Sequence, residues 1–396
     1  MFILESVYNR HSGITGGGRQ VTDTCFPVYL STGENDLSPI NSNSPISKQT
    51  ITSMSNQKLR AAVIGGGLGG HHGYAYARAA DYELVAACDI NPAAFERFFE
   101  RAQIERGSIR EYTDYKEMFT NEKLDVVSVA TPDHLHADPV CDAALAGIRG
   151  ILCEKPLCTT LQDADRIVET IERTGAKMSI DHTRSWIPTY QAVKKAVWEE
   201  QAIGGLTRIV AHMGGHRSML FRNGTHLVDA VCYLADADPL WVIAAHERGF
   251  EEYGVEYKGQ GGKDPMLDPG STIIVEFANG VRALINSAKQ TPQIFEFDLQ
   301  GPGGRYWLTD SDCRAWKTDK PEGRLEEVPA PAGRSYLEPF GENLISAVQE
   351  LAQMVRHGGA GSSPPHRARN SLEIMLAALI SQSRDSAKVQ LPLPRG

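Results

Sequence analysis

Hydrophobic and polar positions follow two different patterns along the chain. Over residues 58–181, short apolar runs alternate with stretches that suit helices, and the run 125–130 (DVVSVA) is continuous rather than alternating. Continuous runs are typical of strands buried on both faces of a parallel sheet. The predicted strands are 59–64, 84–88, 125–130, 150–153 and 177–181, and the predicted helices are 74–80, 92–106, 136–146 and 161–174.

From about residue 182 the pattern indicates an antiparallel sheet. Asn279-Gly280 separates two strand-like runs and is a strong hairpin signal. The predicted fold class is α/β: an N-terminal Rossmann, doubly wound parallel sheet over 58–181, then a C-terminal α+β domain with a mainly antiparallel sheet over 182–396. The strands predicted in the second part are 206–211, 241–245, 272–277, 281–287, 294–299 and 306–309, and the helices are 188–200, 225–235, 340–356 and 370–385.

Residues 1–57 differ from the rest of the chain. They are rich in Ser, Thr, Asn and Gly and have few large apolar residues after Tyr29, so we expect a flexible extension. No apolar stretch of about 7–15 residues follows a basic start, so no secretory signal is predicted. Met54 lies just ahead of the first predicted strand, and we hypothesise that the natural start is Met54. An N-terminus at Met1 in a mass spectrum of the native protein would contradict this.

Composition narrows the classes of partner. The chain has 396 residues, with 40 Lys and Arg against 49 Asp and Glu, a net charge of -9. Proteins that bind nucleic acid by neutralising phosphates are normally basic, so nucleic acid is not expected as a partner. No run approaches the roughly 20 apolar residues of a membrane helix, so no membrane association is expected. Seven scattered cysteines without a C-x-x-C pair indicate reduced thiols and a cytoplasmic location.

A glycine-rich turn after the first predicted strand is the sharpest local signal. Gly65, Gly67 and Gly70 fit the pattern G-x-G-x-x-G, with Leu68 between them, and Asp89 follows Gly70 by 19 residues. In such a turn one glycine allows the tight bend, the next admits a pyrophosphate, and the third lets helix and strand pack. A carboxylate at Asp89 suits ribose hydroxyls and repels a 2′-phosphate. The motif therefore favours NAD over NADP, the alternative being a turn that binds nothing.

Two further loops follow the third and fourth predicted strands, where ligands of open α/β sheets bind. His134 and His136 have no carboxylate or cysteine partner with metal-like spacing, so no metal is expected. The Lys155 ammonium either stabilises a developing oxyanion or is a surface charge before a turn, and the residues alone leave both readings open. The residues expected to border the cofactor in these loops are Thr131, Pro132, His134, His136, Glu154 and Lys155.

Several segments together carry a resemblance to a known family. They are VIGGGLGG at 63–70, Asp89, ATPDHLHAD at 130–138, CEKPL at 153–157 and GTHLVDAVCYL at 224–234. From about residue 58 to the C-terminus, their order and spacing resemble those of the Gfo/Idh/MocA oxidoreductases, which include glucose-fructose oxidoreductase and inositol dehydrogenase. The resemblance implies that Lys155 and His226 are catalytic and that Arg184 is the family's arginine after the last Rossmann strand.

One position departs from the family pattern. Many members carry an aspartate four residues before the histidine, where this chain has Arg222. Asp229 matches instead the more structural aspartate three residues after the histidine. The acid that would orient or charge His226 is therefore missing from its expected place.

The resemblance implies an NAD-dependent oxidoreductase that transfers a hydride between nicotinamide and a secondary alcohol or ketone of a sugar or cyclitol. His226 would take the hydroxyl proton, and the candidate substrate contacts are His182, Arg184, Trp186 and Asn223, with a place in the core as the alternative for Trp186. Two other readings stay open. One is a redox-neutral sugar-modifying enzyme, of glycosidase or lyase type, with tightly bound NAD; the other is a non-catalytic dinucleotide-binding sensor. The family also implies a homodimer or homotetramer formed through the C-terminal sheet.

Overall fold

The N-terminal part of the chain forms a parallel sheet. The computed structural model describes residues 57–257, 264–331 and 340–394, so the expected extension over 1–57 lies outside the described residues except for Gln57. The strands of this sheet are β1 (Leu59–Ile64), β2 (Tyr82–Cys88), β3 (Arg110–Tyr112), β4 (Val126–Val129), β5 (Gly150–Cys153) and β6 (Lys177–Ile180). They pair in the order β3-β2-β1-β4-β5-β6, and every pair is parallel.

Helices cover both faces of this sheet. They are α1 (Gly69–Arg78), α2 (Ala94–Ala102), α3 (Tyr115–Asn121), α4 (Ala137–Leu145) and α5 (Leu161–Thr174). Successive side chains of β1 point to opposite faces: Ala61 and Val63 join one apolar core with α1 and α2, whereas Ala62 and Ile64 join another with α3, α4 and α5. Burial on both faces is why the strands read as continuous apolar runs, and the predicted doubly wound sheet is confirmed.

The second sheet has nine strands in the described residues. They are β7 (Arg208–Gly214), β8 (Pro239–His246), β9 (Ser271–Phe277), β10 (Arg282–Ala288), β11 (Phe295–Gly301), β12 (Gly304–Thr309), β13 (Cys313–Lys317), β14 (Glu326–Val328) and β15 (Val389–Gln390). Their order is β14-β13-β12-β11-β7-β10-β9-β8-β15. Only β7 and β10 pair in parallel, so the sheet is mainly antiparallel as predicted. Gly280, at φ +84°, turns the predicted hairpin between β9 and β10.

Four more α-helices lie in the described part of the chain. They are α6 (Pro188–Trp198), α7 (Gly224–Ala235), α8 (Gly341–His357) and α9 (Pro365–Gln382). α9 packs on β8 and α7, while α8 packs on α1 and on the strands β5 and β6. The hydroxyl of Tyr82 donates to the carbonyl oxygen of Val348 at 2.6 Å, which ties β2 to α8. The C-terminal part of the chain therefore returns to the parallel sheet through α8.

Some elements differ from the prediction. The helix predicted at 74–80 begins at Gly69, because the glycines of the turn belong to its first turn. The helix predicted at 370–385 begins at Pro365, where proline suits a first helical turn. The strand β3 and the helix α3 were not predicted, because a three-residue strand (REY) carries no apolar alternation. The strands β14 and β15, with three and two residues, are too short to show a pattern, and the five-residue strand β13 was also missed.

Two expectations from composition can be compared with the described residues. No helix in the described ranges is both long and apolar enough to cross a membrane. The cysteines in these ranges form no disulfide with one another; they are Cys88, Cys141, Cys153, Cys158, Cys232 and Cys313.

Candidate active site

The glycine turn joins the end of β1 to the start of α1. Gly65 has φ +105°, and a Cβ on it would lie against the carbonyl oxygen of Ala130 at the end of β4. A side chain here would be strained and would also clash, so only glycine fits. Gly69 and Gly70 are equally restricted, because their Cβ atoms would lie 2.7 Å from Val63 and 2.6 Å from Arg101.

Gly67 is different from its neighbours. A Cβ on Gly67 would meet no atom within 4 Å, and its φ lies outside the left-handed region. Neither packing nor backbone strain therefore explains a glycine at this position. The open space lies at the N-terminus of α1, where backbone amides and the helix dipole favour a phosphate. Leu68 is the half-buried N-cap residue of that helix. A dinucleotide pyrophosphate fits this turn.

Asp89 lies beside the turn, directly after β2. One carboxylate oxygen accepts the amide of Gly66 at 2.6 Å, and the other accepts the amide of Asn91 at 2.8 Å. These bonds hold the half-buried carboxylate in place, and each oxygen keeps a lone pair for a further donor. A fixed negative charge here suits the hydroxyls of an NAD ribose and repels a 2′-phosphate.

The loop after β4 borders the same edge of the sheet. Thr131 is half-buried, whereas Pro132 and His134 are exposed. His136 is fully buried, and its two ring nitrogens lie 3.0 Å from the carbonyl oxygen of Pro156 and 2.9 Å from that of Thr131. His136 therefore joins the loops after β4 and β5 to each other and does not face the cleft.

Lys155 projects from the loop after β5 and is only 8% exposed. Its ammonium donates to the carbonyl oxygen of Arg222 at 3.0 Å, just before α7. Burial lowers the pKa of Lys155, and the Glu154 carboxylate partly opposes that effect. This contact brings a lysine of the parallel sheet to the helix that carries His226, across 67 residues of sequence.

A buried polar cluster lies behind Lys155. His72 Nε2 is 3.4 Å from Glu154, and Thr183 donates to Asp181 at 3.2 Å. Burial raises the pKa of Glu154, but His72 and the charge of Lys155 outweigh it and lower that pKa below its usual range. Burial and the Glu154 carboxylate raise the pKa of Asp181. Donor atoms of His72, Glu154 and Asp181 lie within 4.8 Å of one another, the one grouping in the described ranges whose spacing would suit a metal ion.

His226 lies in the first turn of α7 and lines the cleft next to that helix. Burial lowers its pKa well below the usual range, and the positive charges of Lys155 and Arg184 add to this effect. The imidazole is therefore neutral near pH 7. Its Nδ1 is buried without a hydrogen-bond partner, which leaves Nε2 as the nitrogen available from the cleft.

The cleft has a volume of about 1040 Å³ and lies between the loop after β6, the start of α7 and the strands β11 and β12. Arg184 makes a bidentate ion pair with Asp310, with nitrogen–oxygen distances of 2.9 and 2.5 Å. Its guanidinium carbon lies 3.4 Å from the ring centroid of Phe295. Trp307 Nε1 donates to Glu296 at 3.2 Å. The lining thus combines fixed charges with an aromatic face. Its polar residues include Arg184, Arg217, Asn223, His226, Trp307 and Asp310.

Comparison with known proteins agrees with this geometry. A model of the oxidoreductase family with an NAD-binding Rossmann fold matches residues 59–182. Over this range the chain is similar to the Gfo/Idh/MocA oxidoreductase family. The matched range contains the glycine turn, Asp89 and Lys155, so residues 59–182 match the NAD-binding Rossmann fold of that family.

Relatives and solved structures extend the likeness beyond that range. The chain is 26% identical over 275 residues to 2,7-anhydro-N-acetylneuraminate hydratase of Mediterraneibacter gnavus, covering 64% of this chain and 68% of that protein. It is 30% identical over 142 residues to inositol 2-dehydrogenase of Salmonella paratyphi B, covering 35% and 41%. It therefore spans less than half of the inositol dehydrogenase. The structure of levoglucosan dehydrogenase with NADH and levoglucosan matches with a TM-score of 0.70 at 21% identity, covering 85% of this chain and all of that one, which shows a shared fold.

The chain departs from the Gfo/Idh/MocA pattern at Arg222, and the structure gives that side chain a partner. Arg222 Nη1 lies 3.3 Å from Asp133, which also accepts the hydroxyl of Tyr257 at 2.6 Å. The backbone amide of Arg222 donates to Asp268 at 3.0 Å. The residue in the position of the family acid is thus anchored to the loop after β4 and adds positive charge near His226.

Two predicted substrate contacts lie away from the cleft. Trp186 is 5% exposed, and its Nε1 donates to Glu350 of α8 at 2.8 Å. It therefore lies in the core, which was the alternative to a substrate contact for this residue. His182 is 2% exposed and lies behind His226, with the two ring centroids 5.9 Å apart. Arg184 and Asn223, in contrast, both line the cleft.

Sequence reasoning missed the cleft residues contributed by the second sheet. Tyr306 and Leu308 are buried on the inner face of β12, so alternation places Trp307 on the other face. Asp310 directly follows the predicted strand 306–309. The alternation in β12 and the position of Asp310 after a strand were visible in the sequence. Nothing in the sequence predicted which strand end contacts Arg184.

Proposed function

We propose that this protein is an NAD-dependent dehydrogenase of a secondary alcohol in a sugar or cyclitol. The observation that carries the proposal is the meeting of Lys155 with the start of α7, 3.0 Å from the carbonyl oxygen of Arg222. That contact joins the edge of the NAD-binding fold to the turn of helix that carries His226. Relatives named as hydratase of an anhydro sugar and as inositol dehydrogenase support the substrate class.

Lys155 is assigned to hold the reacting oxygen of the substrate. The glycine turn and Asp89 would hold NAD, which would supply a nicotinamide able to exchange a hydride with the substrate carbon. The Lys155 ammonium, which is largely shielded from water, stabilises the negative charge that develops on the oxygen. Its hydrogen bond to the Arg222 carbonyl keeps the side chain extended toward α7.

His226 is assigned to take the hydroxyl proton at Nε2. Burial lowers its pKa, so the ring is neutral near pH 7 and has a lone pair for the proton. The surrounding charges of Lys155 and Arg184 disfavour a lasting imidazolium. The proton therefore passes on to solvent through the cleft that His226 lines.

The polar lining of the cleft suits a polyol. Carboxylates of Asp310 and Glu296 accept hydrogen bonds from hydroxyls, while Arg184 and Asn223 donate them. The indole of Trp307 offers an apolar face to the C–H groups of a sugar ring. In this assignment residues 58–181 bind the cofactor, and residues 182–396 bind the substrate and form subunit contacts.

We also propose a homo-oligomer formed through the second sheet, in the cytoplasm. Four apolar residues stand side by side on its outer face: Ile243 opposite Ile274, Ile274 opposite Leu284, and Leu284 opposite Val210. A solvent-facing apolar row of this kind suits association with a second copy. The unpaired cysteines of the described residues support a reducing compartment.

The first test is an assay of NADH absorbance with NAD and a panel of sugars and cyclitols, beside mass spectrometry of the purified protein. Net NADH formation with one substrate supports the dehydrogenase. Bound NAD(H) that does not exchange, with no net absorbance change while the sugar is converted, would favour the redox-neutral alternative. Bound NAD(H) without any conversion would favour the sensor.

Lys155→Met tests the mechanism. Removing the ammonium should lower kcat by about 100-fold or more and leave NAD affinity within about threefold, since the stabilised charge exists only in the transition state. The matched control is Lys195→Met, an exposed lysine of α6 whose side chain is 61% accessible. Wild-type turnover in Lys155→Met would remove the lysine from the mechanism.

A further inference from the structure

The imidazole of His226 lacks an acid to orient it. Its Nδ1 is buried without a partner, and Arg222 occupies the position of the family acid but turns to Asp133. The charged or titratable groups that dominate the surroundings of His226 are Lys155, Arg184, His182 and Arg222, and none of them is a carboxylate. Some other contact must hold the ring in one plane.

The ring next to His226 is that of His182. Their centroids lie 5.9 Å apart at an interplanar angle of 84°, an edge-to-face contact. His182 comes from the loop after β6, which follows the last strand of the NAD-binding fold. It reaches His226 across 44 residues of sequence.

Both nitrogens of His182 face fixed groups. Nε2 lies 3.0 Å from the hydroxyl of Thr225, the residue directly before His226. Nδ1 lies 3.2 Å from a carboxylate oxygen of Asp229, which Arg367 binds with two nitrogens at 3.0 Å each. Asp229 also accepts the hydroxyl of Ser371 at 3.3 Å. The approach of Nδ1 to Asp229 is a charge contact and not a hydrogen bond, so the hydrogen bond that limits rotation of the His182 ring is the one between Nε2 and Thr225.

The protonation of this chain of groups follows from their charges. Burial raises the pKa of Asp229, but the Arg367 guanidinium outweighs it and lowers that pKa, so the carboxylate is ionised. Burial lowers the pKa of His182 to about 4, against the opposing charge of Asp229. Neutral His182 therefore carries its proton on Nδ1, toward the carboxylate, and Nε2 accepts the Thr225 hydroxyl. The other charged groups that act on His182, Lys155 and Glu154, lie on the loop after β5.

We propose that His182 is the positioning residue of His226, held between Asp229–Arg367 and Thr225, and that it replaces the acid missing at position 222. The inference rests on the proposed role of His226 as the proton acceptor. The edge of the fixed His182 ring sets the plane of the His226 ring and keeps Nε2 toward the cleft. The charge of Asp229 acts on His182 and so holds the plane of that ring. His182 itself touches no substrate.

A pair of conservative variants separates positioning from packing. Thr225→Val keeps the size of the side chain but removes the hydroxyl that His182 Nε2 accepts, whereas Thr225→Ser keeps it. We expect Thr225→Val to lower kcat about tenfold with NAD affinity unchanged, because a small misorientation of the base slows proton transfer. Thr225→Ser should stay within about twofold of the wild type. His182→Phe, which keeps a ring but loses the Thr225 hydrogen bond and the charge contact with Asp229, should resemble Thr225→Val.

A spectroscopic measurement tests the same point without turnover. In the whole protein labelled with ¹⁵N-histidine, the signals lost in His182→Gln identify His182. We expect the Nδ1–H tautomer, neutral down to about pH 5, because burial lowers the pKa of His182 and the ionised Asp229 carboxylate lies beside Nδ1. An Nε2–H tautomer, or protonation near pH 6.5, would contradict the proposed anchoring.

The outcomes distinguish this inference from the proposed function. An active wild type with unchanged kcat in both Thr225→Val and His182→Phe would overturn the positioning role and leave the dehydrogenase intact. An inactive wild type across the whole substrate panel, with the expected tautomer, would count against the proposed function while the anchored geometry of His182 stood. Equal losses in Thr225→Ser and Thr225→Val would show that packing, not the hydroxyl, matters.

Discussion

At the scale of single residues, Arg222 changes the electrostatics of the site. An acid at this position would raise the pKa of the neighbouring histidine and stabilise its imidazolium. Here burial lowers the pKa of His226, and Arg222 is one of the positive charges that lower it further. In the proposed mechanism His226 is therefore a neutral acceptor, and turnover depends on rapid release of the proton that it takes.

Arg222→Gln should move the acidic limb of the kcat profile to higher pH. Removing the positive charge raises the pKa of His226, and the neutral form that accepts a proton is then lost at a higher pH as the solution is acidified. The pH profile of NADH formation measures this limb. Arg282→Gln, an exposed position on β10, is the control and should leave the limb in place. A limb that moved to lower pH would contradict the charge argument.

At the scale of elements, the turn between β1 and α1 separates structural from functional glycines. Gly65 is required by its φ of +105° and by the nearby Ala130 carbonyl. Gly67 is required by neither, since a Cβ there would meet nothing within 4 Å. One four-residue turn therefore contains a glycine for the fold and a glycine for the ligand.

Gly67→Ala should weaken NAD binding by about tenfold or more, with the melting temperature of the cofactor-free protein unchanged, because the added methyl fills the space for the pyrophosphate. Gly65→Ala is the matched variant and should destabilise the protein by about 1–3 kcal/mol through backbone strain and the clash. Thermal unfolding without cofactor and fluorescence titration with NADH measure the two effects. Equal melting temperatures for the two variants would contradict the distinction between a structural Gly65 and a ligand-binding Gly67.

The elements themselves were predicted to different degrees. Strands buried on both faces, such as β1 and β5, were predicted with the bounds that the structure has, because continuous apolar runs reflect burial directly. The edge strand β3 was missed, because its residues face solvent and carry no apolar pattern. Helix ends moved where glycine or proline starts a helix, as in α1 and α9.

At the scale of the whole molecule, the two faces of the second sheet have different surroundings. Its inner face packs against helices such as α9. Its outer face carries the row of Val210, Ile243, Ile274 and Leu284, of which Leu284 is 36% exposed. In the proposed homo-oligomer, this row lies at the interface between two copies of the chain.

Leu284→Asp tests this surface. A charge in the centre of a buried apolar contact costs several kcal/mol, so we expect the assembly to dissociate to monomers. Light scattering after size exclusion measures the mass. Leu145→Asp is the control, because Leu145 is a 59% exposed leucine of the NAD-binding fold and should leave the assembly intact. A wild-type mass for Leu284→Asp would exclude this row from the interface.

Local chemistry in the sequence determined the glycine turn, the parallel strands and the placement of Asp89, because these depend on neighbouring residues or on strand ends. Lys155 and His226 became catalytic candidates through the family resemblance. Tertiary structure alone decided which distant groups meet. The contacts of Lys155 with Arg222 and of Asp229 with Arg367 join residues 67 and 138 positions apart. Hydrophobic periodicity and residue spacing do not predict such pairs, because only the packing of the two sheets and their helices brings these residues into contact. Because of that packing, Trp186 lies in the core and His182 lies behind His226.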